Sequence, residues 1–153
     1  MLITSSRKPS ASTRTLCKLL ASFFDCAYFN RGKMGMGEVL EHADTSSLMV
    51  IGEYHGNPGS ISVYNPDGFC VLSIYMSVWT SDEPYCGPGS AETSLEGEGE
   101  LAPVLSELLQ MDENPSAGQK IVISDKQIDF LENDRVLFSL KIRSHRIFHG
   151  DDS

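Results

Sequence analysis

The chain has 153 residues and an ordinary globular composition, 41% apolar and 22% charged, so it is long enough to hide roughly two-thirds of its unfolded surface in one domain or two small interlocked halves. No apolar run approaches the ~20 residues of a membrane span. The opening MLITSSRKPS places its basic residues after its apolar ones, unlike a secretory signal, so a cytoplasmic protein with no membrane partner is expected. The net charge of −9, taken alone, argues against nucleic acid.

In chain order, Leu2 to Ser5 predicts a short strand. Pro9 breaks it, and Ser10 or Ser12 can cap a helix that runs to about Phe24. Leu16, Leu19, Leu20, Phe23 and Phe24 recur at helical spacing and mark its buried face. Ala27 to Asn30 predicts a second strand, Arg31-Gly32-Lys33 a turn, and Met36 to Ala43 a second helix. The continuous apolar run Leu48 to Ile51 is the mark of a strand buried on both faces. His55-Gly56-Asn57-Pro58-Gly59 is turn chemistry, and Ser60 to Tyr64 pairs back as a hairpin. Phe69 to Trp79 is a long β-rich stretch. Residues 81–100 are acidic and rich in Gly, Pro and Ser, and are expected to form a flexible loop between the halves. Leu101 to Met111 predicts a helix, and Ile121 to Ser124, Ile128 to Leu131 and Val136 to Ile147 predict three strands. The order describes a mixed α/β protein with helices against a partly parallel sheet, each half combining helices with strands.

The charge is unevenly spread. Residues 1–35 hold six basic residues against Asp25, a balance of +5, residues 36–134 carry −16, and residues 135–153 carry +2. Basic ends around an acidic middle suggest a local polyanion site. The four cysteines, Cys17, Cys26, Cys70 and Cys86, stand singly without the paired spacing of a metal site and fit small apolar packing groups. No metal and no other cofactor is expected.

Three segments together resemble the Brix domain family. The first is Ile3-Thr4-Ser5-Ser6-Arg7-Lys8-Pro9-Ser10 followed by Thr13-Arg14-Thr15; the second is Tyr28-Phe29-Asn30-Arg31-Gly32-Lys33-Met34 leading into a short helix. The third is Val50-Ile51-Gly52-Glu53 through Gly56-Asn57-Pro58-Gly59 to Ser60-Ile61. The resemblance covers residues 1–65 and is closest in size to stand-alone archaeal members. It implies one Brix-like domain over 1–153, built as two similar interlocked α/β halves (about 1–80 and 101–150) around the 81–100 loop. It implies a fold similar to the anticodon-binding domain of class II aminoacyl-tRNA synthetases. It also implies a non-enzymatic, RNA-binding role in ribosome biogenesis, in rRNA precursor processing and subunit assembly. The partners would be ribosomal RNA precursors, with ribosomal or assembly proteins as further ones, and no DNA.

The residues themselves support a phosphate site. Ser5 to Ser10 joins a strand to a helix N-terminus, where backbone N–H groups and the helix dipole favour an anion. Ser5, Ser6 and Ser10 add hydroxyls, Arg7 and Lys8 add charge, and the planar fork of arginine suits phosphate. Asn30, Arg31 and Lys33 follow the next strand. If the two strands are parallel neighbours, both basic corners share one edge, where ligands of open α/β sheets bind. Isolated surface charges are usually just solvated; two clusters at equivalent corners, with the resemblance, favour RNA phosphate. Arg14 and Lys18 fit a solvated helix face and an RNA face equally well. Arg143, His145 and Arg146 fit a charge-guarded edge strand better than a binding patch. Tyr28, Phe29, Tyr54 and His55 are stacking candidates, with Phe29 expected in the core and Tyr54 and His55 as turn scaffolding, while Tyr75, Trp79 and Phe148 are expected to pack.

Two other function classes compete. One is a protein-binding scaffold of a pre-ribosomal particle that uses the acidic 81–100 loop. The other is a small phosphate-metabolite or nucleotide enzyme, but Ser5, Ser6 and the four histidines (His42, His55, His145 and His149) stand in no recognisable triad context, and the glycines at 32, 35 and 37 match neither nucleotide-loop pattern.

Overall fold

The computed structural model describes residues 1–43, 46–82 and 92–148. It divides into two compact units, Met1–Met76 with Ser144–Ser153, and Ser77–Arg143. Each is mixed α/β, as the order of elements predicts.

The first unit holds β1 (Leu2–Ser5), α1 (Ala11–Phe24), β2 (Ala27–Tyr28), α2 (Met36–Ala43), β3 (Leu48–Tyr54), β4 (Asn57–Tyr64) and most of β5 (Cys70–Thr80). Strand β1 lies between β2 and β3 and runs parallel to both; β3, β4 and β5 then pair antiparallel. Helix α1 starts where Ser10 Oγ accepts the Thr13 N–H, so of the two candidate caps Ser10 fills the role. It ends at Asp25, which adopts left-handed backbone geometry. Leu16, Leu20 and Phe23 face the core, as the 3.6-residue period requires.

Residues Leu48 to Ile51 are all buried because β3 is covered on both faces. Leu48 and Val50 pack with Val39 and Ala43 of α2. Met49 and Ile51 therefore point to the opposite face, which α1 covers. The β3–β4 turn is tighter than the five turn-forming residues suggest. Only His55 and Gly56 lie outside the strands, both with positive φ (52° and 77°), the geometry that matches strand twist in a two-residue hairpin. Asn57, Pro58 and Gly59 belong to β4, and Pro58 is tolerated because it sits opposite Glu53 at a register shift.

The second unit holds β6 (Thr93–Gly97), α3 (Leu101–Leu109), β7 (Gln119–Ile123), β8 (Gln127–Glu132) and most of β9 (Arg135–Ile147). Strands β6 and β7 are parallel; β7, β8 and β9 are antiparallel. Ile121, Ile123, Ile128, Phe130, Phe138 and Leu140 form its buried face, with the Phe130 and Phe138 rings stacked 4.3 Å apart. The expected 81–100 loop contains a strand: β6 occupies Thr93–Gly97. Its acidic and glycine-rich composition hides a two-residue buried core, Ser94 and Leu95, locked by pairing to β7. The pairing stops at Gly97, where a Cβ would lie 2.0 Å from the Ile123 carbonyl oxygen. Residues 83–91 of that loop lie outside the described residues.

Strand β9 is not an edge. It pairs with β8 along one side, and on the other its Leu137 carbonyl accepts the Ser81 N–H at 2.8 Å. The β8–β9 hairpin turns at Asn133 and Asp134, both with positive φ. No described helix is long and apolar enough to cross a membrane.

Phe23 is 1% exposed and Leu19, on the same helix, is half-buried. Phe23→Ala is expected to lower unfolding stability by about 3–5 kcal/mol, and Leu19→Ala by clearly less. Urea unfolding monitored by circular dichroism measures both; equal losses would contradict the packing of α1.

Candidate functional site

The parallel pairing of β1 with β2 puts both carboxyl ends on one edge of the first unit, so the two basic corners meet. The backbone carbonyl of Met34 is the meeting point. Arg31 Nε donates to it at 2.9 Å and Arg7 Nε at 3.3 Å. Arg31 also donates from Nη1 to the Ser5 carbonyl at 3.3 Å, which ties the second corner back to the first strand. Arg31 is half-buried and Arg7 exposed. The Arg7 guanidinium also lies over Gly35. Two guanidinium groups are thus held side by side on one acceptor.

The other expected site residues take different places. Lys8 and Lys33 are exposed on the corner loops, with Lys8 in left-handed geometry. Asn30 shapes the turn, its Oδ1 accepting the Gly32 N–H at 3.3 Å, where Gly32 has φ +58°. Ser6 anchors the first corner by donating its N–H to the Ile51 carbonyl at 2.9 Å. Arg14 is exposed one turn into α1, and its charge acts on Tyr28.

Two expectations are corrected. Ser5 is fully buried, and its hydroxyl donates to the Ser6 carbonyl at 2.8 Å, because its pairing with Ile51 turns it toward the face that α1 covers. It offers no hydroxyl to a ligand. The N-terminus of α1 is also not an open anion site. The Glu53 carboxylate, from the end of β3, accepts the Ser10 backbone N–H. That bond, helped by the Thr13 hydroxyl and opposed by burial, holds the Glu53 carboxyl below its usual range. Ser12 adds a bond from Oγ to the Gly56 carbonyl at 3.3 Å, fastening the hairpin beside the helix. A helix N-terminus carries about half an elementary positive charge, so one carboxylate more than offsets it. The positive field of this corner therefore comes from its side chains.

The second unit repeats the device. Asp125, just past β7, accepts the Glu100 N–H at 2.9 Å and the Leu101 N–H at 3.0 Å at the start of α3. Neither carboxylate could be assigned to its helix from sequence, because Glu53 is 43 residues from Ser10 and Asp125 is 25 from Glu100.

The aromatic residues divide differently from expectation. Phe29 packs against the α2 cluster and stacks on His42 with ring centres 5.2 Å apart. Tyr28 is half-buried, and burial raises its pKa. Tyr54 is exposed and meets His55 edge to face at 4.1 Å. Tyr75 and Trp79, expected to pack, are 55% and 56% exposed, while Phe148 is half-buried beneath Arg146, 5.0 Å from the ring centre. Strand alternation identifies which residues share a face, but not which face a helix covers.

Cys17 is buried, and desolvation pushes its thiol up to about 12, which makes it unreactive packing. Cys86 lies outside the described residues. Among the described residues no cluster of three or more His, Cys, Asp or Glu is arranged to hold a metal ion.

No family model matches the chain. Relatives match along nearly its whole length. A probable Brix domain-containing ribosomal biogenesis protein of Methanococcoides burtonii is 46% identical over 149 residues, covering 95% of this chain and 96% of the relative. One of the same description from Methanosarcina barkeri is 42% identical over 156 residues, covering 95% and 99%. Among solved structures, Mil, an archaeal Imp4-like protein, superposes with a TM-score of 0.78 at 26% identity, covering 97% of this chain and all of that one. A probable ribosomal biogenesis protein from Aeropyrum pernix, at 23% identity and a TM-score of 0.73, covers 92% of this chain and 93% of that one and shares the fold.

The lowered pKa of Glu53 fixes the sign of its pH dependence. Its contribution to stability is complete above the unfolded-state carboxyl pKa and is lost as pH falls through the lowered folded value. Glu53→Gln is expected to destabilise the protein at neutral pH and to flatten its loss of stability in acid. Thermal unfolding across an acid pH series checks this; an unchanged profile would refute the latch. Ser10→Ala, which removes the cap, is expected to cost about 1 kcal/mol in the same assay.

Proposed function

The chain belongs to the Brix domain-containing ribosomal biogenesis proteins, and from that premise we propose that it binds ribosomal RNA precursors through the Arg7–Arg31 corner. The observation that carries this reading is the convergence of both guanidinium groups on the Met34 carbonyl. Each planar fork presents several N–H donors, and those not directed at Met34 or Ser5 suit phosphate oxygens. Lys8 and Lys33 extend the same positive edge, and Asn30 and Ser6 hold the loops that display it. Ser10 contributes through the helix cap rather than by contact.

Holding two like charges together is unfavourable without an anion between them. A bridging phosphate relieves that repulsion, which gives the corner more affinity than two separate arginines would have. The role in rRNA processing and subunit assembly then consists of holding RNA, without catalysis. Nothing in the corner reads base identity, so selectivity at this edge rests on the spacing of phosphates.

The test is binding of precursor rRNA fragments across a salt series. Affinity is expected to fall steeply with salt, and each phosphate contact removed flattens the log–log slope by roughly 0.7–0.9. Arg7→Ala and Lys33→Ala are expected to weaken binding in this way with little change in folding, because both side chains are exposed. Arg31→Ala is expected to weaken binding and also loosen the loop, since it releases two carbonyls. Binding indifferent to Arg7 and Lys33, or absent at low salt, would overturn the proposal and favour a protein-binding role.

A further inference from the structure

The second unit carries an open sheet face with its own chemistry. Its buried face is the apolar one described above, and residues at alternate positions point the other way. Strand pairing sets Gln127 opposite Lys141 and Asp129 opposite Ser139 on that other face. Gln127, Ser139 and Lys141, together with Ser77, Val78 and Trp79 of β5, line a groove of about 370 Å³. That volume lies within the roughly 300–1,000 Å³ of ordinary ligand sites. Trp79 is 56% exposed there. Tryptophan is enriched at contact surfaces, where its ring can meet an apolar partner while its N–H stays wet.

Charge indicates what the groove meets. Acidic residues outnumber basic ones by 13 to 5 in Ser77–Arg143. Of the five, Lys120 pairs with Glu96 at 3.6 Å. Lys141 and Arg143 instead follow one another at alternate positions of β9, both exposed, in line with Ser139. Asp129 is engaged by two neutral donors, Ser139 Oγ at 2.6 Å and Gln127 Nε2 at 2.7 Å. A cationic line beside an exposed indole, within an otherwise acidic unit, is complementary to a polyanion that also carries flat rings.

We propose that this groove stacks an unpaired base of single-stranded RNA on Trp79, with Lys141 and Arg143 meeting the flanking phosphates. The Gln127 side-chain carbonyl and the Lys141 ammonium supply one acceptor and one donor at the base edge. This inference rests on the RNA-binding reading above and adds a second contact of a different kind, to a base instead of a phosphate. Duplex RNA keeps its base faces stacked, so the groove selects loops, bulges and ends.

Trp79 is the single tryptophan of the chain, so its emission reports this groove alone. The full chain is titrated with a single-stranded oligoribonucleotide of about ten residues and, separately, with a duplex of the same sequence. Saturable quenching by the single strand, and none by the duplex, is expected. Trp79→Ala is expected to weaken binding about 5- to 100-fold, while Trp79→Phe keeps most of it. An unchanged melting curve for Trp79→Ala shows that the fold is intact. RNA binding without quenching, unaffected by Trp79→Ala but weakened by Arg7→Ala, overturns this proposal and leaves the arginine corner standing. No RNA binding by the unaltered chain overturns both. Equal quenching by the duplex, or quenching by ribosomal proteins and not by RNA, overturns the base-stacking assignment alone.

Discussion

Strand β1 is four residues long, yet the functional edge of the first unit depends on its pairing. It runs parallel to β2 on one side and to β3 on the other. Parallel strands deliver their carboxyl ends to the same edge, so whatever follows each strand is brought together. Here those continuations are Ser6-Arg7-Lys8 after β1, Asn30-Arg31-Gly32-Lys33 after β2, and Glu53 at the end of β3. An antiparallel arrangement of the same strands would have sent the two arginines to opposite edges. The arginine pair and the Glu53 latch follow from one choice of strand direction.

Both units resolve the same electrostatic problem in the same manner. A helix that follows a strand presents unpaired N–H groups at its start. In each unit a carboxylate from near the end of the parallel neighbour fills that position, Glu53 for α1 and Asp125 for α3. The echo between the halves is thus chemical as well as topological, and it leaves neither helix N-terminus open to an external anion. Such self-supplied carboxylates allow an acidic protein to keep a confined positive site, because part of its negative charge is turned inward onto helix dipoles.

Local elements were readily legible in the sequence because they depend on periodicity and caps. The 3.6-residue stripe of α1, the Ser10 cap and the doubly buried run at Leu48 to Ile51 all appear as expected. The meeting of the two basic corners was also legible, conditional on parallel strands. What could not be read was nonlocal or lacked a side-chain signal. The Met34 carbonyl is backbone, and nothing in a methionine announces two arginine donors. Ser5 looked like a ligand hydroxyl because its register against Ile51, which buries it, is a tertiary fact. Strand β6 was masked by its glutamates and glycines. Trp79 was expected to pack, in the core or at its rim, because the apolar content of a β-rich stretch does not show which of its residues meet solvent.

The division of the chain bears on how it forms during synthesis. The unit Ser77–Arg143 is continuous in sequence, whereas the other is completed by the segment from Ser144, whose Phe148 N–H reaches the Val71 carbonyl at 3.0 Å. A ribosome releases residues in order, so the continuous unit has all its strands available before its neighbour does. Strand β5 lacks its last partner until most of the chain has emerged. Closing that long loop is an entropic step that comes late. The arginine contacts of the corner lie within residues 5–34 and its Ser6 anchor reaches only to Ile51, so neither depends on that late segment. The arginine edge can therefore form while the strand that completes its unit is still being made.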